Sequence, residues 1–251
     1  MQNKIDQIAS LIANSRKTVV VTGAGISTEA GIPDFRGENG IYRKLGEDKV
    51  MRIINIDTFR QHPEVFYEFY REHFVLAQVE PGKAHYILAD LETRGYVHCI
   101  VTQNIDNLHQ KAGSKNVIPV HGTADRFICQ KLRCQSVYDA QTALGSGELV
   151  PHCPKCGGIL KPDVVLFGEN IYNYMDAQEN ILSAQLLIVI GSSLTVYPLA
   201  GFVRAFDSLS QDLVIINKGP TYMDHAASIK IDTGTTGAVL EQIAAQLPGR
   251  S

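Results

Sequence analysis

The sequence predicts an α/β fold: a doubly wound sheet of parallel strands with helices on both faces, interrupted twice by a smaller unit. Three observations carry that expectation. Short apolar runs recur at residues 18–22, 97–102, 186–190 and 213–217, with a shorter one at 229–232. Near-continuous runs of this kind belong to strands buried on both faces. Helical patterns lie between them, and strand alternating with helix is the mark of the α/β class. At 251 residues, with 45% hydrophobic and 20% charged residues, the chain is also long enough for one large core and a satellite.

The elements follow in order. Ile5, Ile8, Ala9 and Ile12 sit at the i, i+3, i+4, i+7 spacing, so the chain opens with an amphipathic helix. The strand at 18–22 runs directly into Gly23-Ala24-Gly25. Helices are expected at 84–93 before Gly95, at 198–206 with Pro198 in the first position, and at 237–247 before Pro248-Gly249. Two stretches break the alternation. Residues 43–80 carry a helix opened by Pro63, with Val65, Phe66, Phe69 and Tyr70 on one face, and residues 124–161 hold most of the cysteines and the turn-rich Gly145-Ser146-Gly147. The expected division is a sheet domain from residues 1–42, 81–123 and 162–251, and a small domain from 43–80 and 124–161.

Charge excludes some functions. Twenty-three basic and 26 acidic residues leave a net charge of -3, which does not suit a chain built to coat nucleic acid or an anionic membrane. The longest apolar run, 186–190, is far shorter than a bilayer span, and Met1-Gln2-Asn3-Lys4 has no signal-peptide pattern. A cytoplasmic location is the expectation; the oligomeric state is left open.

Four of five cysteines fall within 28 residues: Cys129 and Cys134 with four residues between them, then Cys153 and Cys156 with two, the pairs being eighteen apart. Two knuckles supplying four thiolates suit tetrahedral zinc, against the competing reading of unrelated buried thiols. A four-thiolate sphere leaves no position for substrate, so the metal is structural. His152 is read as an exposed loop residue and Cys99 as a buried core residue.

Gly23-Ala24-Gly25 stands where a dinucleotide-binding turn would, though a purely structural turn competes. Thr28 replaces the third glycine of G-x-G-x-x-G, and Arg43 stands where a ribose-binding acid is usual, so a hydride-transfer dehydrogenase is disfavoured. The following loop carries Asp34, Phe35 and Arg36 instead. In open α/β sheets ligands lie beyond the carboxyl ends of strands. Those ends carry Gln103-Asn104-Ile105-Asp106, His121-Gly122, Gly191-Ser192-Ser193 and Asn217-Lys218. His121 is the residue among these whose ordinary pKa, about 6.5, suits a general base.

Taken together, Gly23-Ala24-Gly25-Ile26-Ser27, Gly31-Ile32-Pro33-Asp34-Phe35-Arg36, Gln103-Asn104-Ile105-Asp106, His121-Gly122, the paired cysteines, Val165-Leu166-Phe167-Gly168-Glu169, Gly191-Ser192-Ser193 and Asn217 resemble the sirtuin family of NAD-dependent protein lysine deacylases. The motifs keep the family's order from residue 23 to 217. The resemblance implies a Rossmann-like NAD-binding domain with a smaller zinc-binding and helical domain inserted. It implies that Gly23, Ala24, Gly25 and Ser27 meet the pyrophosphate, with Arg36 beside phosphates and ribose. Gly191, Ser192 and Ser193 would approach phosphates and adenine ribose, and Asn217 and Lys218 the adenosine. Asp34, Phe35, Asn104, Ile105 and Asp106 would line the nicotinamide and nicotinamide-ribose pocket, and Gln103 would also belong to the cofactor site.

By the same resemblance His121, Asn104 and Asp106 are the catalytic set. The acyl oxygen of an acyl-lysine protein substrate would attack C1′ of the nicotinamide ribose, expelling nicotinamide and giving an alkylimidate. His121 would act as general base on the ribose hydroxyls, and water would resolve the intermediate to deacylated lysine and O-acyl-ADP-ribose. The substrate peptide would add as a strand between Val165, Leu166, Phe167, Gly168 and Glu169 on one side and Leu194 and Val196 on the other. Protein ADP-ribosyl transfer from the same NAD site is the alternative, and a non-catalytic NAD or ADP-ribose sensor is disfavoured by the intact catalytic set.

Two departures bear on the expectation. The first knuckle has four residues where two are commonest. The Tyr-x-x-Arg pair that binds acidic acyl groups is also missing, since Tyr67 leads to Tyr70 and Tyr70 to His73. Deacetylation is therefore favoured, with longer aliphatic acyl groups also admitted.

Overall fold

Strands buried on both faces build the main layer. The structure is a computed structural model that describes residues 1–75, 79–207 and 211–249. Among the described residues the strands are β1 (Thr18–Thr22), β2 (Cys99–Thr102), β3 (Val117–Pro119), β4 (Gly122–Cys129), β5 (Val137–Asp139), β6 (Leu160–Val164), β7 (Leu186–Ile190), β8 (Asp212–Ile216) and β9 (Ile229–Ile231). The helices are α1 (Gln2–Asn14), α2 (Ile41–Leu45), α3 (Glu47–Ile53), α4 (Ile56–Gln61), α5 (Pro63–His73), α6 (Lys83–Thr93), α7 (Leu108–Lys111), α8 (Ala140–Leu144), α9 (Tyr174–Leu182), α10 (Leu199–Asp207) and α11 (Thr236–Ala244).

Six strands form a wholly parallel sheet in the order β3-β2-β1-β7-β8-β9. Val20, Ile100, Ile188 and Val214 face a core completed by α1, α6 and α11. Their neighbours Val19, Val101, Leu187 and Ile215 face the opposite core, completed by α9 and α10. The order of strands turns between β1 and β7, the switch point at which open α/β sheets hold ligands.

A second, antiparallel sheet in the order β5-β4-β6 packs with α2–α5 and α8 around a third core. Aromatic rings fill it: Phe66, Tyr67, Tyr70 and Phe127 are buried, with Tyr70 edge-on to Phe127 at 5.9 Å. Tyr67 donates its hydroxyl hydrogen to the Leu160 carbonyl. The expected inward face of α5 needs one correction: Val65 is 39% exposed, and Tyr67 takes the inner place. Helix α10 begins at Leu199, one residue after Pro198. Of the expected small-domain range 43–80, residues 76–78 lie outside the described residues. Among the described residues no helix is long and apolar enough to cross a membrane.

Candidate active site

The glycine turn after β1 is pressed against the turn after β7. Gly25 donates its N–H to the Gly191 carbonyl at 2.9 Å. A Cβ at Gly25 would lie 2.7 Å from the Gly191 Cα, and one at Gly23 2.8 Å from the Gly191 oxygen. Glycine is required here because backbone meets backbone. The chain then winds into a 3₁₀ helix, Ala24–Ala30, which fits the absence of the third fingerprint glycine.

Ser27 is fully buried and lies at the centre of a polar network. Its hydroxyl donates to Asp106 Oδ2 at 2.7 Å and accepts from Asn104 Nδ2 at 3.1 Å. His85, also fully buried, places Nε2 3.4 Å from the same oxygen. Gly82 N–H points at His85 Nδ1, so Nδ1 accepts and Nε2 carries the proton toward Ser27. The other Asp106 oxygen accepts the Leu108 N–H at 3.0 Å. Two donors, one on each oxygen, thus fix the direction of the carboxylate. Behind this lies His109, 4.9 Å from His85 ring to ring, with Nε2 3.0 Å from Thr22 Oγ1. Burial and neighbouring His85 push its pKa down to about 3.

His121 stands between the two sheets, just past β3 and just before β4. Its Nδ1 lies 2.9 Å from the Gln103 carbonyl oxygen. A carbonyl can only accept, so Nδ1 carries the proton and Nε2 is left with its lone pair. Burial lowers the pKa, opposed by that hydrogen bond. Gln103 in turn accepts from Ser192 Oγ at 2.9 Å, tying the β2 and β7 strand ends together.

A cleft runs along the carboxyl edge of the sheet, lined by Gly25, Asp34, Gly191, Asn217 and Lys218 together with Thr28, Glu29, Asp232, Thr233 and Gly234. The last five were not anticipated. Extending the strand-end rule to β9 reaches Asp232-Thr233-Gly234. A histidine on the apolar stripe of α6, between Ala84 and Leu88, is the sequence signal for His85. Asp34 accepts the Gly37 N–H, and Phe35 packs 5.2 Å from Tyr42. Arg36 pairs with Glu47 and lies over the Tyr42 ring. Ala124 donates to the Ile105 carbonyl, fixing that backbone.

The segment 165–169 is already heavily bonded: Val165 N–H reaches the His121 carbonyl, and Phe167 pairs in parallel with Asn55. Leu194 donates its N–H to Ser192 Oγ, and the Val196 carbonyl accepts from Ala200. Ser193 Oγ lies 3.1 Å from Thr195 Oγ1.

Cys129, Cys134, Cys153 and Cys156 converge, with all four sulfurs within 4.8 Å of one another. Cys129 and Cys156 sulfurs are 3.4 Å apart, and those of Cys134 and Cys153 are 3.7 Å apart. Tetrahedral zinc at about 2.3 Å from each sulfur requires sulfur separations of about 3.8 Å, so the donor set fits the metal. His152 is exposed and pairs with Glu148 instead. Cys99 is buried, its thiol pushed up to about 11 by burial.

The Sir2 family model matches residues 23–198. An NAD-dependent protein deacetylase of Clostridium acetobutylicum is 42% identical over 96% of this chain and 98% of its own length. One from Thermotoga maritima is 42% identical over 90% of this chain and 92% of its own. Among solved structures, a Sir2 complex with deacetylated p53 peptide and 3′-O-acetyl ADP ribose superimposes with a TM-score of 0.90, at 38% identity, covering 98% of this chain and 99% of that one. A Sir2 complex with p53 peptide and NAD+ gives 0.86 at 36% identity, covering 96% and 98%. With the glycine seam, the strand-end polar groups and the four-sulfur cluster in one fold, and with relatives this similar along nearly the full length, the chain belongs to the Sir2 family, the sirtuins.

Proposed function

We infer that the protein is an NAD-dependent protein lysine deacylase that moves an acyl group from lysine to ADP-ribose and releases nicotinamide. The observation that carries the reading is His121: its Nδ1 proton is committed to the Gln103 carbonyl, which leaves Nε2 as a base at the end of the parallel sheet. NAD supplies the electrophilic ribose carbon and the leaving nicotinamide. Gly23, Ala24, Gly25 and Arg36 bind its phosphates, with Gly191, Ser192 and Ser193 beside them and Asn217 and Lys218 at the adenosine, while buried Ser27 holds Asp106 and Asn104 in place rather than meeting the pyrophosphate. The Cβ-free seam supports this, since a phosphate can approach bare backbone closely.

Asp106, its two oxygens fixed by Ser27 and Leu108, accepts from the nicotinamide carboxamide beside Ile105 and Asp34. Asn104 orients a ribose hydroxyl or water, and Phe35 keeps bulk water from the reacting carbon. His121 takes a proton from the ribose hydroxyls on Nε2. The four cysteines hold zinc as a closed structural site that holds together the small domain of 43–80 and 124–161. Reduced thiols of this kind suit a cytoplasmic location. Acyl-lysine polypeptides add between 165–169 and the segment holding Leu194 and Val196. Tyr67 and Tyr70 spend their hydroxyls on Leu160 and Ala124, which favours neutral acyl groups.

The test is incubation with NAD and either an acetyl-lysine or a succinyl-lysine peptide, following peptide mass and free nicotinamide. Acetyl loss in step with nicotinamide release is expected, with kcat/KM for succinyl at least about 10²-fold lower. His121→Ala should lower turnover by about 10²–10⁴-fold with NAD binding retained. An unchanged peptide with ADP-ribose added to protein would favour ADP-ribosyl transfer instead.

A further inference from the structure

We propose that Lys161 is a positioning residue for the acylated peptide, resting on the deacylase reading above. Lys161 lies on β6 and is 5% exposed. Its Nζ donates to the Val164 carbonyl at 2.6 Å and pairs with Glu169 Oε2 at 2.9 Å. The same Oε2 accepts the Leu166 N–H at 2.9 Å, and the Glu169 N–H returns to the Leu166 carbonyl at 3.0 Å. One buried ammonium thus closes the segment 164–169 into a ring of hydrogen bonds.

An ammonium is costly to bury, and an apolar side chain would fill the same space without that cost. What the charge supplies is a fixed carboxylate at Glu169 and, through it, a fixed Leu166. Val165 N–H is spent on His121, and Phe167 N–H on Ile54 at 3.0 Å. Within 165–169 the Gly168 N–H alone has no protein partner among the described residues. An incoming strand therefore meets one donor in one place, on a loop directly bonded to the residue that carries the base. Removing the Lys161 charge releases Glu169 and Leu166, so the loop must be ordered by the peptide at the peptide's expense in affinity.

Lys161→Met keeps the stem and removes the charge. Anisotropy of a labelled acetyl-lysine peptide should report about tenfold weaker binding, and peptide KM should rise by the same factor. NAD KM, and kcat at saturating peptide, should stay within about twofold, and Lys161→Arg should restore most of the loss. A folded Lys161→Met protein with wild-type peptide affinity overturns the proposal, as does an equal worsening of both KM values and kcat. If that variant does not fold, Glu169→Gln decides: a similar rise in peptide KM supports the role, and an unchanged value refutes it. Wild-type protein that binds peptide without releasing nicotinamide would sink the deacylase reading, while the peptide affinities still judge Lys161.

Discussion

Substituting Gly25 by alanine tests whether the glycine seam is both tight and the place where NAD phosphates lie. The new Cβ would sit 2.7 Å from the Gly191 Cα and 2.9 Å from its oxygen. Carbon atoms rest at about 3.5–4.0 Å, so the two turns must part by about 1 Å. Overpacking of this kind costs about 1–3 kcal/mol, and in a protein of this size each kcal/mol lowers Tm by about 2–4 °C. Gly31→Ala is the control: its φ of +91° strains the backbone, but nothing lies within 4 Å of the added methyl. Differential scanning fluorimetry reads stability, and calorimetric titration reads NAD. Gly25→Ala should lower Tm and weaken NAD by tenfold or more, because both sides of the seam shift; Gly31→Ala should lower Tm with NAD affinity nearly kept. A lowered Tm with wild-type NAD affinity at Gly25→Ala would refute the seam as the phosphate site. No change in either would refute the tight packing itself.

Stability should fall on acidification. His109 titrates near 6.5 when unfolded and at about 3 in the fold, so between those values the unfolded chain binds the extra proton and folding is disfavoured as pH drops. Urea titrations should show about 1–2 kcal/mol lost from this site by pH 5, and His109→Gln should flatten that slope; an unaltered slope would assign the loss elsewhere. Elemental analysis should find one zinc per chain, and Cys153→Ser should lower zinc content, Tm and activity together. Complete zinc loss with Tm unchanged would contradict a structural metal.

The strands buried on both faces were the most legible part of the fold: β1 and β7 begin and end where their apolar runs do. β2 starts at Cys99 although the apolar run starts at Val97, because Tyr96 and Val97 give their N–H groups to Leu91 and finish the end of α6. The three-stranded sheet was hidden, since β4 is a polar, bulged strand whose burial does not alternate. On α5, proximity of Tyr67 to the Leu160 carbonyl outweighs the aliphatic character of Val65. At the site, residues within short motifs could be read directly. The partners of His85 and His109 could not be read, because Ser27 and Thr22 are 58 and 87 residues away in sequence.

Gly122 and Val164 are register partners in the antiparallel pair of β4 and β6, and Val165 bonds back to His121. The chain therefore leaves the sheet domain and returns to it within one ladder step. Everything between, the cysteine knuckles included, hangs from a closed stem, much as a hairpin loop hangs from its base pairs. Residues can be gained or lost beyond that stem without any strand of the parallel sheet having to shift. The four-residue spacing between Cys129 and Cys134 lies beyond that stem.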